Sequence, residues 1–145
     1  MLRLPPSILI TDDDDSFRET LRDVLEPEGF RTLSAGDGQE ALKIVQNEEV
    51  HLMLLDMHMP RLTGLETLRI IKRFHNMMPC IILSAEADEE TRRKCRQEQA
   101  YSVLSKPIGH QELRNIVREA LYNTYDLPQD ALAKLRPRGV GRQGL

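Results

Sequence analysis

The chain has 145 residues, 40% hydrophobic and 30% charged, with a formal charge of −3, which is apolar enough for one domain with a core and too apolar for disorder. No apolar run approaches the roughly 20 residues needed to span a bilayer. The opening MLRLPPSILI lacks a signal peptide's longer apolar region and cleavage site, so a cytoplasmic setting is expected.

Five short segments rich in Ile, Leu, Val and Met read as strands: Ser7 to Thr11, Arg31 to Ala35, His51 to Asp56, Cys80 to Ser84 and Ser102 to Ser105. Short continuous apolar runs suit strands covered on both faces. Helical periodicity lies between them. Phe17, Thr20, Leu21, Val24 and Leu25 follow the i, i+3, i+4, i+7, i+8 rule, and Leu113, Ile116, Val117, Ala120 and Leu121 repeat it. Ala41, Leu42 and Val45, then Leu65, Leu68 and Ile71, give shorter versions, with Gly29, Gly38, Pro79 and Pro107 punctuating the boundaries. The segment from Glu86 to Gln99 has helix formers but almost no apolar stripe beyond Ala87, Thr91 and Cys95. Two readings stand for it, a weakly anchored and therefore mobile element and a solvated surface helix without a role.

After Tyr125 the sequence DLPQDALAKLRPRGVGRQGL ends the pattern; Pro128, Pro137 and its glycines read as a linker or terminus. The boundaries are thus 1–125 for a domain and 126–145 for a tail. In the tail, basic Lys134, Arg136, Arg138 and Arg142 outnumber Asp126 and Asp130, so an acidic body carries a basic extension. Without a helix-turn-helix pattern these residues assign the chain no nucleic-acid role. Cys80 and Cys95 have no metal-site spacing and read as reduced thiols.

Strands alternating with helices imply parallel pairing through right-handed crossovers, hence a doubly wound α/β sheet of five βα units. Binding in such sheets occurs at the carboxyl ends of the strands. Asp12 to Asp15 follow the first strand, Asp56 ends the third, Ser84 the fourth, and Lys106-Pro107 follows the fifth. Asp14, Asp15 and Ser16 are explained as the start of a helix. Asp12, Asp13 and Asp56 would repel one another unless a cation sat among them, and hard oxygen ligands with open positions suit Mg²⁺. Lys106 supplies an ammonium able to pair with a carboxylate and later with a phosphoryl oxygen, and Ser84 a hydroxyl. The chemistry that needs this set is phosphoryl transfer to Asp56.

In this order and spacing ILITDDDDSFRETL, LLDMHMPRLTGLE, IILSA and SKP resemble the receiver domain of bacterial response regulators, the CheY-like family, over roughly Ile8 to Leu121. The resemblance implies a flavodoxin-like (βα)5 fold with strand order 2-1-3-4-5. It implies that Asp56 accepts phosphate from a sensor histidine kinase or a phosphotransfer protein, with Asp12 and Asp13 as the acidic pair, Lys106 as the lysine and Ser84 as the switch hydroxyl. Mg²⁺ would be held by Asp12, Asp13, Asp56 and the His58 backbone carbonyl. Pro60 and Gly64 match the turn after the phosphorylation site, while His58 and Glu86 fall where side chains tune hydrolysis of the phosphoryl group. A homodimer would use the helix 4, strand 5, helix 5 face. One departure is plain: the family's switch aromatic is here Val103, and Tyr101 is expected on the same sheet face by period two, with two readings open, a substitute for that aromatic or, the favoured one, a side chain that only packs.

Three other readings fit less well. A pseudo-receiver would not need the retained acidic pair, Asp56 and Lys106. An aspartate-nucleophile phosphatase of the haloacid-dehalogenase kind calls for a second Asp where His58 stands. A nucleotide- or flavin-binding module would not place four aspartates where phosphate must sit.

Overall fold

The computed structural model describes residues 2–136. Five parallel strands, β1 (Ser7–Thr11), β2 (Arg31–Ala35), β3 (Leu52–Asp56), β4 (Cys80–Ser84) and β5 (Ser102–Ser105), form one sheet in the order β2-β1-β3-β4-β5. The helices are α1 (Asp15–Leu25), α2 (Gly38–Asn47), α3 (Gly64–Phe74), α4 (Glu89–Gln97) and α5 (His110–Tyr125), with a short 3-10 turn at Glu26–Glu28. This is the doubly wound parallel α/β sheet, in strand order 2-1-3-4-5, expected from the sequence.

Alternation along the inner strands builds two cores. Ile8, Ile10, Leu52, Leu54, Ile81, Leu83 and Leu104 face α1 and α5. Leu9, Met53, Leu55, Ile82 and Val103 face the side of α2, α3 and Cys95 of α4. Every residue of β1, β3 and β4 is buried, which is why these strands read as unbroken apolar runs. Among the described residues no helix is long and apolar enough to cross a membrane.

Three local features differ from the sequence-based expectation. Helix α4 begins at Glu89, because the Asp88 side chain accepts from Thr91 N–H and caps it, so Glu86 and Ala87 belong to the preceding loop. Tyr101 precedes β5, after Gln99 with φ 68°. The period of two does not reach it across that turn, and its ring packs on the α1–α5 side, opposite the side taken by Val103. Its hydroxyl donates to Glu119 of α5 (2.7 Å) and accepts from Asn123 (3.0 Å).

The third concerns the tail. Residues 126–136 form turns that lie against the domain: Leu132 is buried, its N–H donates to the Tyr122 hydroxyl (2.9 Å), and Leu127 and Leu135 pack on the α1–α5 core. Gly29, at φ 99°, has no room for a side chain, since a Cβ there would stand 2.5 Å from the Leu135 Cβ. The expected linker residues Pro137, Arg138 and Arg142 and the glycines among them lie outside the described residues.

At the amino edge of the sheet His51 is buried, and its Nδ1 accepts the Ser7 N–H at 2.9 Å. The Tyr125 hydroxyl donates to the His51 carbonyl at 2.6 Å. Burial pulls the His51 imidazole below its ordinary value, with Arg3 and Arg31 pulling the same way against Glu49.

Candidate functional site

The order β2-β1-β3 makes β1 and β3 neighbours whose connections leave in opposite directions, so a crevice opens at their carboxyl ends. Thr11 is in register with Leu55. The next residues along the two strands are Asp12 and Asp56, and the register sets their carboxylates side by side.

Both are removed from water, Asp12 at 1% and Asp56 at 4% exposure, whereas Asp13 is exposed. One oxygen from each of Asp12, Asp13 and Asp56 lies within 4.8 Å of the others, a hard-oxygen set that suits Mg²⁺. Lys106 reaches in from the end of β5, its Nζ 2.9 Å from Asp12 Oδ2 and 3.2 Å from Asp56 Oδ1. The Lys106-Pro107 peptide is cis.

Burial, then the Asp12 charge, push the Asp56 carboxyl above the ordinary carboxylate value, against the pull of Lys106 and of the His58 N–H. Burial alone would lower the Lys106 ammonium, but its bond to Asp12 and the two carboxylate charges outweigh that and hold it above the ordinary lysine value. One ammonium among several carboxylates leaves the site with surplus negative charge, which a divalent cation would balance.

The loops carry the rest. Asp14 caps α1 by accepting from Phe17 N–H (3.2 Å), and its own N–H donates to Asp12 Oδ1 (2.9 Å), so the aspartate run divides between cap and site. Arg18 donates to the Asp12 carbonyl and pairs with Asp15. His58 is exposed, and its N–H donates to Asp56 Oδ1 (3.3 Å). Gly64 N–H donates to the Met57 carbonyl, and a Cβ at Gly64 would stand 2.2 Å from the Asp56 carbonyl oxygen. Thr63 and Glu66 close a capping box at the start of α3. Ser84 is fully buried at the end of β4, one residue past the register partner of Asp56, and its hydroxyl accepts from the N–H of exposed Glu86 (3.1 Å).

Asp12, Asp13, Asp56 and Lys106 are therefore brought together, with Ser84 on the neighbouring strand and His58 and Glu86 on the flanking loops. Tyr101 is directed to α5. Sequence reasoning missed three residues. Arg18 holds the Asp12 backbone. Phe17 was read only as part of an apolar stripe, yet its ring lies under the Lys106 ammonium, 4.4 Å from Nζ to centroid. Arg92 donates to the Ala87 carbonyl (3.0 Å) and to the Val103 carbonyl (2.9 Å), bridging the loop after Ser84 to β5. Around it lies an open depression of about 160 Å³, lined by Arg92, Arg96, Ala100, Tyr101, Ser102 and Val103.

The family model of the response regulator receiver domain matches residues 8–118. The chain belongs to this family. Among relatives of this receiver, response regulator RR06 of Streptococcus pneumoniae is 40% identical over 103 residues, 71% of this chain and 47% of that protein. The transcriptional regulatory protein CpxR of Escherichia coli is 34% identical over 118 residues, 81% of this chain and 50% of that protein. The receiver thus spans about half the length of the curated relatives it matches. Among solved structures, a CheY-like receiver from Methanospirillum hungatei superposes with a TM-score of 0.80 at 26% identity, covering 83% of this chain and 97% of the other. The receiver domain of NtrX from Brucella abortus gives 0.75 at 30% identity, covering 79% and 97%. These relatives support phosphorylation-dependent two-component signalling.

Proposed function

We propose that this receiver accepts a phosphoryl group on Asp56 from the phosphohistidine of a sensor histidine kinase or phosphotransfer protein and passes the change to a partner-binding face. The observation that carries it is the buried Asp56 carboxylate held beside Asp12 and within 3.2 Å of the Lys106 ammonium. A carboxylate oxygen of Asp56 attacks phosphorus; the new P–O bond forms as the P–N bond breaks, and the electron pair leaves on the imidazole nitrogen. Lys106, bonded to Asp56 Oδ1 and Asp12 Oδ2, would transfer one contact to a phosphoryl oxygen while keeping Asp12. Asp12, Asp13, Asp56 and the His58 carbonyl would hold Mg²⁺, which when bound neutralises charge on the transferring oxygens.

Ser84 would turn its hydroxyl from the Glu86 N–H toward the phosphoryl group, freeing the loop that leads to α4. His58 and Glu86 flank the site and would tune hydrolysis. The read-out face would be α4, β5 and α5, which would also serve self-association. Residues 126–145 would serve as the connector from domain 1–125, with its first part docked. In this reading the chain is a signalling switch and not an enzyme.

The test is to incubate the chain with Mg²⁺ and acetyl phosphate and to compare intact mass with that of Asp56→Asn under conditions that preserve acyl phosphates. A single phosphoryl mass gain confined to the wild type is expected. No gain, or an equal gain in Asp56→Asn, rejects the proposal.

A further inference from the structure

Lys106 Nζ is held on three sides. Two contacts are the hydrogen bonds to Asp12 and Asp56, and the third is the face of Phe17, 4.4 Å to the ring centroid. Phe17 is half-buried in the first turn of α1, which the Asp14 cap starts directly beside the acidic pair, and its ring also packs on the α1–α5 core. The ring thus has core neighbours of its own besides the ammonium. An aromatic face carries negative quadrupole charge and attracts an ammonium without competing as a hydrogen-bond acceptor.

We propose that Phe17 is a positioning residue for Lys106. Its ring holds the ammonium over the crevice while the Asp56 contact is exchanged for one to an incoming phosphoryl oxygen. A carboxylate at position 17 would add to the surplus of acid, and an aliphatic side chain would fill the space without attracting the charge. Lys106 would then lean wholly on Asp12 and Asp56, the two groups that phosphoryl transfer and the cation must use. The inference rests on the reading of Asp56 as phosphoacceptor, and it assigns to Phe17 a role distinct from its share in the core.

The experiment follows phosphorylation of the full chain by acetyl phosphate with Mg²⁺, comparing the wild type with Phe17→Leu, Phe17→Tyr and a series with phenylalanine bearing one, two and three ring fluorines at position 17. Fluorine drains the ring face with little change of shape. Removing the ring should slow phosphorylation about 3- to 10-fold, the range set by a cation–π contact of ordinary strength. Tyrosine should restore the rate, and the fluorinated chains should slow stepwise. A flat fluorine series, or tyrosine as slow as leucine, would reduce Phe17 to packing and overturn the proposal. Failure of the wild type to gain phosphate would strike the proposed function instead. The proposal is then decided by NMR: the Lys106 Hε resonances should be shifted upfield by the ring in the wild type and lose that shift in Phe17→Leu, and the absence of a ring-dependent shift would refute the contact.

Discussion

Strand β3 runs between two buried titratable side chains, His51 just before it and Asp56 at its end, and the fold treats them in opposite ways. Burial drives both toward their neutral forms, His51 downward and Asp56 upward. At the amino edge neutrality is used: the neutral ring has a free lone pair on Nδ1, and that lone pair takes the Ser7 N–H. At the carboxyl edge neutrality is resisted, because the Asp12 charge raises Asp56 further while Lys106 and the His58 N–H favour its ionised form. One end of the strand is a satisfied structural contact. The other is held in unresolved conflict, which is common where binding is to supply the missing interaction.

The largest effect should come from Gly64→Ala, which would set a Cβ 2.2 Å from the Asp56 carbonyl oxygen and 2.9 Å from Met57 Cα. Backbone must move, at a cost of about 3 kcal/mol by analogy with overpacked cores. Urea unfolding should show this loss, and acceptance of phosphate should fall with it. Full acceptance in Gly64→Ala would mean that the carboxyl end tolerates displacement. At the other end, His51→Ala leaves the Ser7 N–H without its side-chain acceptor and should cost about 2 kcal/mol. Phosphorylation kinetics should stay at the wild-type level; a matching loss there would break the separation of the two ends.

Asp56→Asn removes the conflict and should raise stability by about 1 kcal/mol, within the usual gain when a strained functional group is relieved. An unfolding midpoint at or below the wild type would count against the carboxyl end being frustrated. The smallest effects are in pH dependence, and they have opposite signs. The folded value of His51 lies below its unfolded value of about 6.5, so its contribution is complete above that pH and is lost as pH falls below it toward the folded value. His51→Asn, which can present Oδ1 in place of Nδ1 without titrating, should lose less stability than the wild type between pH 7.5 and 5.5, as followed by thermal unfolding. Asp56 has a folded value above 3.8, so the unfolded chain gives up this proton first and the cost to the fold grows as pH rises through that interval. The advantage of Asp56→Asn should therefore shrink as pH falls toward 4, and an advantage constant with pH would remove the ionic explanation.

Strand placement was readable because β1, β3 and β4 are buried on both faces and written as apolar runs, and Asp12, Asp13, Asp56 and Lys106 could be gathered because parallel order brings all the carboxyl ends to one edge. What was not legible depends on partners distant in sequence. Phe17 obeys the helical stripe and gives no sign that Lys106 will lie over it. Arg92 looks like one of many charges on a polar helix, and only the fold gives it the carbonyls of Ala87 and Val103. It also changes the view of α4, whose few apolar residues suggested weak anchoring: Arg92, buried Cys95 and the Arg69–Glu98 pair tie it to its surroundings. Tyr101 escaped because the alternation of β5 was extended through a turn that interrupts it. The docked part of the tail escaped because Leu127, Leu132 and Leu135 follow no helical or strand period.

That docking brings the chain back to the amino edge of the sheet. Leu135 sits against Gly29, beside the 3-10 turn that precedes β2, on the edge that also holds His51 and Tyr125. The docked turns and Asp56 are thus on opposite rims, separated by the length of a five-residue strand, roughly 16 Å. Through the Leu132 N–H on the Tyr122 hydroxyl the turns are tied to α5, the helix that starts four residues after Lys106, so a single helix spans the distance from the carboxylate rim to the docked turns.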